Sequence, residues 1–348
     1  MNNSVCAVIT TYNRKKLLIE CLESLRKQTR PIQGICLIDN GSTDGTPELL
    51  LEKNYINELP PNKTEGIWER DFEIKNLVNG EPIKFHFIKA YKNKGASGGF
   101  SEVIKRGYEK GYNWLWIMDD DAEPEADALE ILIPYSKNDY IVGLAGSVIL
   151  PNNNSISIFH RGRINLRKRI FPMIQIPISL EEYKNDILEI DFASFVGLLL
   201  KREAIEKIGL PKNEFFMLHD DVEYSIRLRN AGKILLVTKS IIYHKEGLKS
   251  EIRVSKKNFL GKQYYSVNLE HLKRTYYSIR NLTWLGKTYS ESRIKFYLQL
   301  IGDFIKKIIK IILFDDHKFK RIKLLLNAYV DGLIGNFDNE KPKKILSK

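Results

Sequence analysis

Two runs of adjacent carboxylates could do chemistry: Asp119-Asp120-Asp121, directly after the apolar run 114–118, and Asp220-Asp221, directly before a helical stretch. Three neighbouring acids repel one another unless water solvates them or a cation neutralises them. A hard divalent ion such as Mn2+ or Mg2+ takes oxygen ligands and keeps bonds to substrate phosphates. On an extended segment Asp119 and Asp121 project to the same side, so both can face one ion. A solvated loop ahead of a helix starting at Pro124 would also tolerate these acids; their place at a strand end favours the cation. Asp220 and Asp221 can satisfy a helix N-terminus, or one can serve as a general base for an acceptor hydroxyl. His244 closes the apolar run 234–243, and imidazole suits Mn-like ions.

Three polar turns accompany these acids. Thr11-Tyr12-Asn13-Arg14 follows the first apolar run, and Asp39-Asn40-Gly41-Ser42 the second. Asp39 can accept hydrogen bonds from a ribose or a base, or cap its own turn. The third is Asn93-Lys94-Gly95-Ala96-Ser97-Gly98-Gly99, expected as a flexible loop that lets backbone approach a ligand. It is neither GxGxxG nor a P-loop.

The elements that must position these residues alternate. Strands are expected over 5–10, 34–38, 83–88 and 114–118. Helices are expected over 15–27, 46–53, 100–110, 124–135, 202–208 and 225–231. The stretch 54–80 reads as a polar insertion, 155–186 as loops, and 191–200 as one apolar run. Such alternation predicts an α/β fold, a mostly parallel sheet flanked by helices, with ligands at the carboxyl ends of the strands. Residues 1–248 are expected to form one α/β domain in two halves, meeting at about residues 122–123. Residues 249–348 form a basic, helical C-terminal region.

The net charge of +12 resides in that last region, where 22 basic residues face 9 acidic ones. Its lysines alternate with Ile, Leu and Phe, which argues against nucleic acid. On a helix over 293–314, Ile301, Phe304, Ile305, Ile308, Ile309 and Ile312 lie opposite Lys306, Lys307 and Lys310. This suits a peripheral position on a membrane's inner face, or packing against the catalytic domain or a second copy of the chain. No run is apolar enough to span a bilayer, and no secretory signal is read at the start. Cys6, Cys21 and Cys36 form no CxxC pair, as expected of reduced thiols in a cytoplasmic protein.

Over about residues 5–247 the chain resembles the family 2 glycosyltransferases of the GT-A fold. The shared features occur in the family's order: TTYNR, LIDNGSTDGT, the NKGASGGF loop, the DDD of WLWIMDDDAEP, and DDVEYSIRLRNAG followed by a strand ending in His. The resemblance implies that Thr11, Tyr12, Asn13 and Arg14 line the nucleotide and that Asp39 binds base or ribose. It implies that Asn93 and Gly95 lie beside diphosphate and sugar, and that Asp119, Asp121 and His244 hold the metal with Asp120 facing the donor sugar. It further implies Asp221 as base beside Asp220, in an inverting displacement. The DDD is similar to that of galactofuranosyltransferases and suggests UDP-galactofuranose as donor and a glycan or lipid-linked glycan as acceptor; rhamnosyltransferases using dTDP-rhamnose share the loop.

The loop departs from the commoner NxGGxGGF, and QxxRW, typical of processive members, does not occur. A nucleotidyltransferase would need a Gly-rich loop after the first strand, where TTYNRKK has no glycine. A non-catalytic nucleotide-sugar-binding protein would not need the carboxylates.

Overall fold

The computed structural model describes residues 4–245, 254–259 and 262–347. Two units are distinguished: Met1–Arg163 with Pro177–Asn213 and Asp220–Gly247, and Ile164–Ile176 with Glu214–His219 and Leu248–Lys348. The boundary expected near residue 249 lies outside the described residues. Up to His244 the elements are β1 (Val5–Thr11), α1 (Lys15–Arg26), β2 (Gly34–Asn40), α2 (Thr46–Glu52), β3 (Ile67–Lys75), β4 (Pro82–Ala90), α3 (Gly95–Glu109), β5 (Trp114–Asp119), β6 (Ala122–Pro124), α4 (Ala128–Leu132), β7 (Ile141–Leu150), β8 (Ser155–Ile156), β9 (Arg161–Ile164), β10 (Gln175–Pro177), β11 (Ile187–Ile190), β12 (Phe192–Ala193), β13 (Leu198–Lys201), α5 (Arg202–Ile208), α6 (Asp220–Leu228) and β14 (Lys233–His244).

β1 is apolar at nearly every position because helices cover both of its faces. Val5, Ala7 and Ile9 pack with Leu18, Cys21, Leu22 and Leu25 of α1. Cys6 and Val8 pack with Phe100, Val103 and Ile104 of α3. The strand period of two divides its residues between two cores, while spacings of three and four gather one stripe on each helix. The sheet has eleven strands, ordered β11-β14-β7-β13-β5-β1-β2-β4-β3, with β6 beside β14 and β8 beside β7. β5, β1, β2 and β4 run parallel, as expected. Antiparallel β13 joins them to the parallel pair β7 and β14, so the sheet is mixed.

The structure corrects several boundaries. The stretch 54–80 contains β3, an edge strand antiparallel to β4. Its alternation was hidden because exposed edge positions carry charge, as unpaired edges require. The helix expected from residue 100 begins at Gly95, so the glycine stretch is mostly helix. Gly99 explains this: a Cβ there would stand 2.2 Å from Thr10 Oγ1. Close packing on β1 offsets the roughly 1 kcal/mol per glycine that helix formation costs. Pro124 lies in β6, and the helix expected there starts only at Ala128. The run 191–200 is divided between β12 and β13. α6 begins at Asp220, so both acids fall in its first turn.

The second unit contains β15 (Val254–Phe259), β16 (Lys262–Val267), α7 (Leu272–Tyr289), α8 (Arg293–Phe314), α9 (Lys318–Ile334) and α10 (Lys341–Ser347). Phe216, Leu218 and His219 have positive φ, a conformation that L side chains disfavour. Asn281 holds this turn: its Nδ2 donates to the carbonyls of Phe215, Met217 and Leu218 at 2.9–3.0 Å. Among the described residues, no helix is long and apolar enough to cross a membrane.

Candidate active site

Strand register collects the expected residues at one sheet edge. Thr10 lies opposite Asp119, and Thr11 opposite Asp39. Antiparallel pairing of Ala122 with His244 returns β14 to the carboxylate triplet. His244 Nε2 thus sits 3.0 Å from Asp121 Oδ1 and 3.7 Å from Asp119 Oδ2. One ligand atom each from Asp119, Asp121 and His244 lies within 4.8 Å of the others. Two carboxylate oxygens and an imidazole nitrogen suit a Mn2+- or Mg2+-like ion.

Burial is the main force on the acid pKa values here. It pushes Asp119 up to about 6, with the neighbouring Asp121 charge adding to the shift. Burial also raises Asp120 to about 7, against the opposing pull of Arg14. Arg14 is the counter-charge: its Nη1 lies 3.1 Å from both Asp120 and Asp121. Arg14, expected along the nucleotide, thus lies against the acids at this strand end. Asp120, expected to face the donor sugar, is buried, and its Oδ2 accepts from Thr11 Oγ1 at 2.6 Å.

The turns after β1 and β2 are laced together. Asn13, with φ of 54°, donates its N–H to Ser42 Oγ and accepts from the Thr43 N–H. Tyr12 is exposed. Asp39 is fully buried and accepts from the Ser42 N–H and from Lys89 Nζ, at 2.8 and 2.7 Å. Its carboxylate is thus engaged inside the protein and shapes the turn. Sequence analysis missed Lys89, although it is the β4 residue directly across from Asp39. Asn93 Oδ1 accepts the Gly95 N–H at the start of α3.

The second acid pair belongs to the same electrostatic environment. Asp220 is raised to about 6, first by burial, and the Ser97 hydroxyl of α3 lies beside it. Asp221 is raised to about 8 by its enclosure and by Asp220, with Asp119 contributing. Asp221 Oδ1 accepts the Val222 N–H at 2.8 Å, so these acids also serve the helix N-terminus. His160, which nothing in the sequence singled out, stacks edge-on against His244, with ring centroids 5.0 Å apart.

The site is thus a group of carboxylates, one imidazole and one guanidinium at the carboxyl edge of a mixed α/β sheet. The chain belongs to glycosyltransferase family 2: the family's profile, Glycosyl transferase family 2, matches residues 6–59 and 71–209. The galactofuranosyltransferase GlfT1 of Mycolicibacterium smegmatis is 22% identical over 229 residues, covering 66% of each chain. GlfT1 of Mycobacterium tuberculosis is 23% identical over 234 residues, covering 67% of this chain and 66% of the relative. The chain therefore spans just under two thirds of the length of these relatives. The fold is similar to that of S. aureus TarS 1-349, with a TM-score of 0.54 at 13% identity, covering 98% of this chain and 83% of that one. GalNAc-T7, solved with UDP, GalNAc and Mn2+, has a TM-score of 0.53 at 14% identity, covering 98% and 57%.

Proposed function

We propose that the chain is an inverting, metal-dependent glycosyltransferase that moves galactofuranose from UDP-galactofuranose to a hydroxyl of a glycan or lipid-linked glycan, in the synthesis of a cell-surface polysaccharide. The observation that carries this is the convergence of Asp119, Asp121 and His244 on one ion-sized position, in a site that Asp220 and Asp221 share. The donor assignment is supported by the name of the GlfT1 relatives. The choice of a uridine nucleotide is supported by TarS, solved with UDP and with UDP-GlcNAc.

Asp119, Asp121 and His244 would hold the ion, which supplies positive charge against the leaving diphosphate. Thr11, Tyr12 and Asn13 line the nucleotide, Asp39 binds base or ribose from the turn it holds, and Asn93 lies beside diphosphate and sugar. Asp120 orients Thr11 and Arg14, and Arg14 adds a second positive group. Gly95 lets the start of α3 come close to diphosphate and sugar. Asp221, with Asp220 beside it, takes the proton of the acceptor hydroxyl. The acceptor oxygen forms its bond to the anomeric carbon as the bond to the diphosphate oxygen breaks. UDP leaves with that electron pair, and one in-line displacement inverts the centre.

The test is turnover with UDP-galactofuranose and with dTDP-rhamnose, each with Mn2+ and with EDTA. Metal-dependent release of UDP from the first donor is expected. Preference for dTDP-rhamnose would reassign the donor, and full activity in EDTA would remove the metal.

A further inference from the structure

α8 is apolar on two sides, where an ordinary amphipathic helix is apolar on one. Phe296, Leu300, Ile311 and Phe314 are its buried residues. Phe296 stacks on Phe171, with ring centroids 6.1 Å apart. On the same side Lys307 pairs with Asp303, which also accepts from the Tyr329 hydroxyl. At about 100° per residue, Ile294, Leu298, Ile301, Ile305, Ile309 and Ile312 fall in one arc on nearly the opposite side. Their exposure runs from 47% at Ile312 to 77% at Ile294. Lys295, Lys306 and Lys310 are exposed on one flank, between that arc and the packed side. α9 repeats the pattern, with Leu324, Leu325, Ala328 and Tyr329 buried and Phe319, Leu326, Val330 and Ile334 exposed.

The sequence expectation needs adjusting here. Phe304 and Ile308 are half-buried, and Lys307 is engaged with Asp303. The solvent-facing row instead extends towards the start of the helix through Ile294 and Leu298.

We infer that this face of α8 lies in the interface of an anionic lipid bilayer, with the helix axis along the membrane plane. The isoleucine row enters the boundary between headgroups and acyl chains. Lys295, Lys306 and Lys310 bind or snorkel to anionic headgroups. Charge selects this occupant over a second copy of the chain. The only acid within α8 is Asp303, already paired on the packed side. Two copies of this basic face would repel, whereas anionic lipid complements it. The inference depends on no donor sugar and no metal, so it stands or falls separately from the proposed reaction.

The test is co-sedimentation of the full chain with vesicles of phosphatidylcholine alone, or of phosphatidylcholine and phosphatidylglycerol in equal parts. At low salt the protein should pellet with the anionic vesicles about tenfold more than with the neutral ones. A variant with Ile301→Asp, Ile305→Asp and Ile309→Asp should lose about tenfold or more of that binding at an unchanged melting temperature. A second variant, Lys295→Gln with Lys306→Gln and Lys310→Gln, should lose the preference for anionic lipid. Absence of pelleting at low salt overturns the inference. So does equal pelleting of wild type and the isoleucine variant, or a dimer that the isoleucine substitutions dissociate while lipid binding is unchanged. Should the aspartates unfold the chain, the lysine variant decides, and a retained anionic preference refutes docking.

Discussion

Lys89 Nζ lies 2.7 Å from Asp39 Oδ2, at the ends of two adjacent parallel strands, with both side chains almost completely enclosed. Removing one member of such a pair strands the other as an uncompensated charge. Lys89→Met should therefore lower the unfolding free energy by about 3–5 kcal/mol. The double variant Lys89→Met/Asp39→Asn should recover part of that loss. Chemical denaturation of the four species checks both statements, and a loss by Lys89→Met within experimental error would show that the pair does not hold the turn.

Asp221→Asn should reduce kcat by about 10²–10⁴-fold while the dissociation constant for UDP changes little. Isothermal titration with UDP and single-turnover transfer separate the two effects. Near-normal kcat would transfer the base role to Asp220.

The acid cluster makes the metal-free protein sensitive to pH, with a definite sign. The folded-state values of Asp119, Asp120, Asp220 and Asp221 are raised to about 6, 7, 6 and 8, above the roughly 4 of an unfolded carboxyl. The folded state then holds more protons than the unfolded one across that window. Each group's contribution is complete below about pH 4 and is lost as pH rises through its folded value. The melting temperature in EDTA should therefore fall from about pH 5 towards pH 8. Metal ligands must be deprotonated, so any stabilisation that Mn2+ adds at Asp119, Asp121 and His244 should grow over the same range. A scan of melting temperature against pH with and without Mn2+ reads both trends. A flat metal-free profile would count against the clustering of charge.

Gly99→Ala should cost about 1–3 kcal/mol, because the new methyl meets Thr10 Oγ1 and a packed helix must move. Gly111→Ala is a control of another kind: nothing stands within 4 Å of its Cβ position, and only its φ of 86° opposes the change. Comparing the two melting temperatures separates steric clash from backbone strain.

Much of this site was legible because strand ends collect function. Thr11, Asp39 and Asp119 each end an apolar run, and parallel pairing brings such ends together. That His244 joins Asp121 was implied by the family resemblance and not by periodicity. The link is β6, three residues long, which carries no periodic signal of its own. Lys89 was hidden for a similar reason, since only the register of β2 with β4 makes it the counter-ion of Asp39. The glycine stretch was misread because tertiary packing against Thr10, and not local propensity, makes it helical. On α8 the period placed Ile301, Ile305, Ile309 and Ile312 on one face, but it could not say which side the protein would cover, and Phe304 and Ile308 are half-buried.

The cluster of Asp121 with His244 also has a temporal side. The two residues are 123 positions apart in the chain. At ribosomal rates the second follows the first by on the order of ten seconds. Through that interval the emerging polypeptide carries three aspartates with Arg14 as their nearby cation and lacks the imidazole of His244. An ion held by Asp119 and Asp121 alone would be weakly retained, so a complete ligand set would mark the arrival of β14 at its place beside β7. In that sense the centre would act as a late latch on biogenesis, closing a long loop as β14, the last of the sheet's strands in chain order, takes its place.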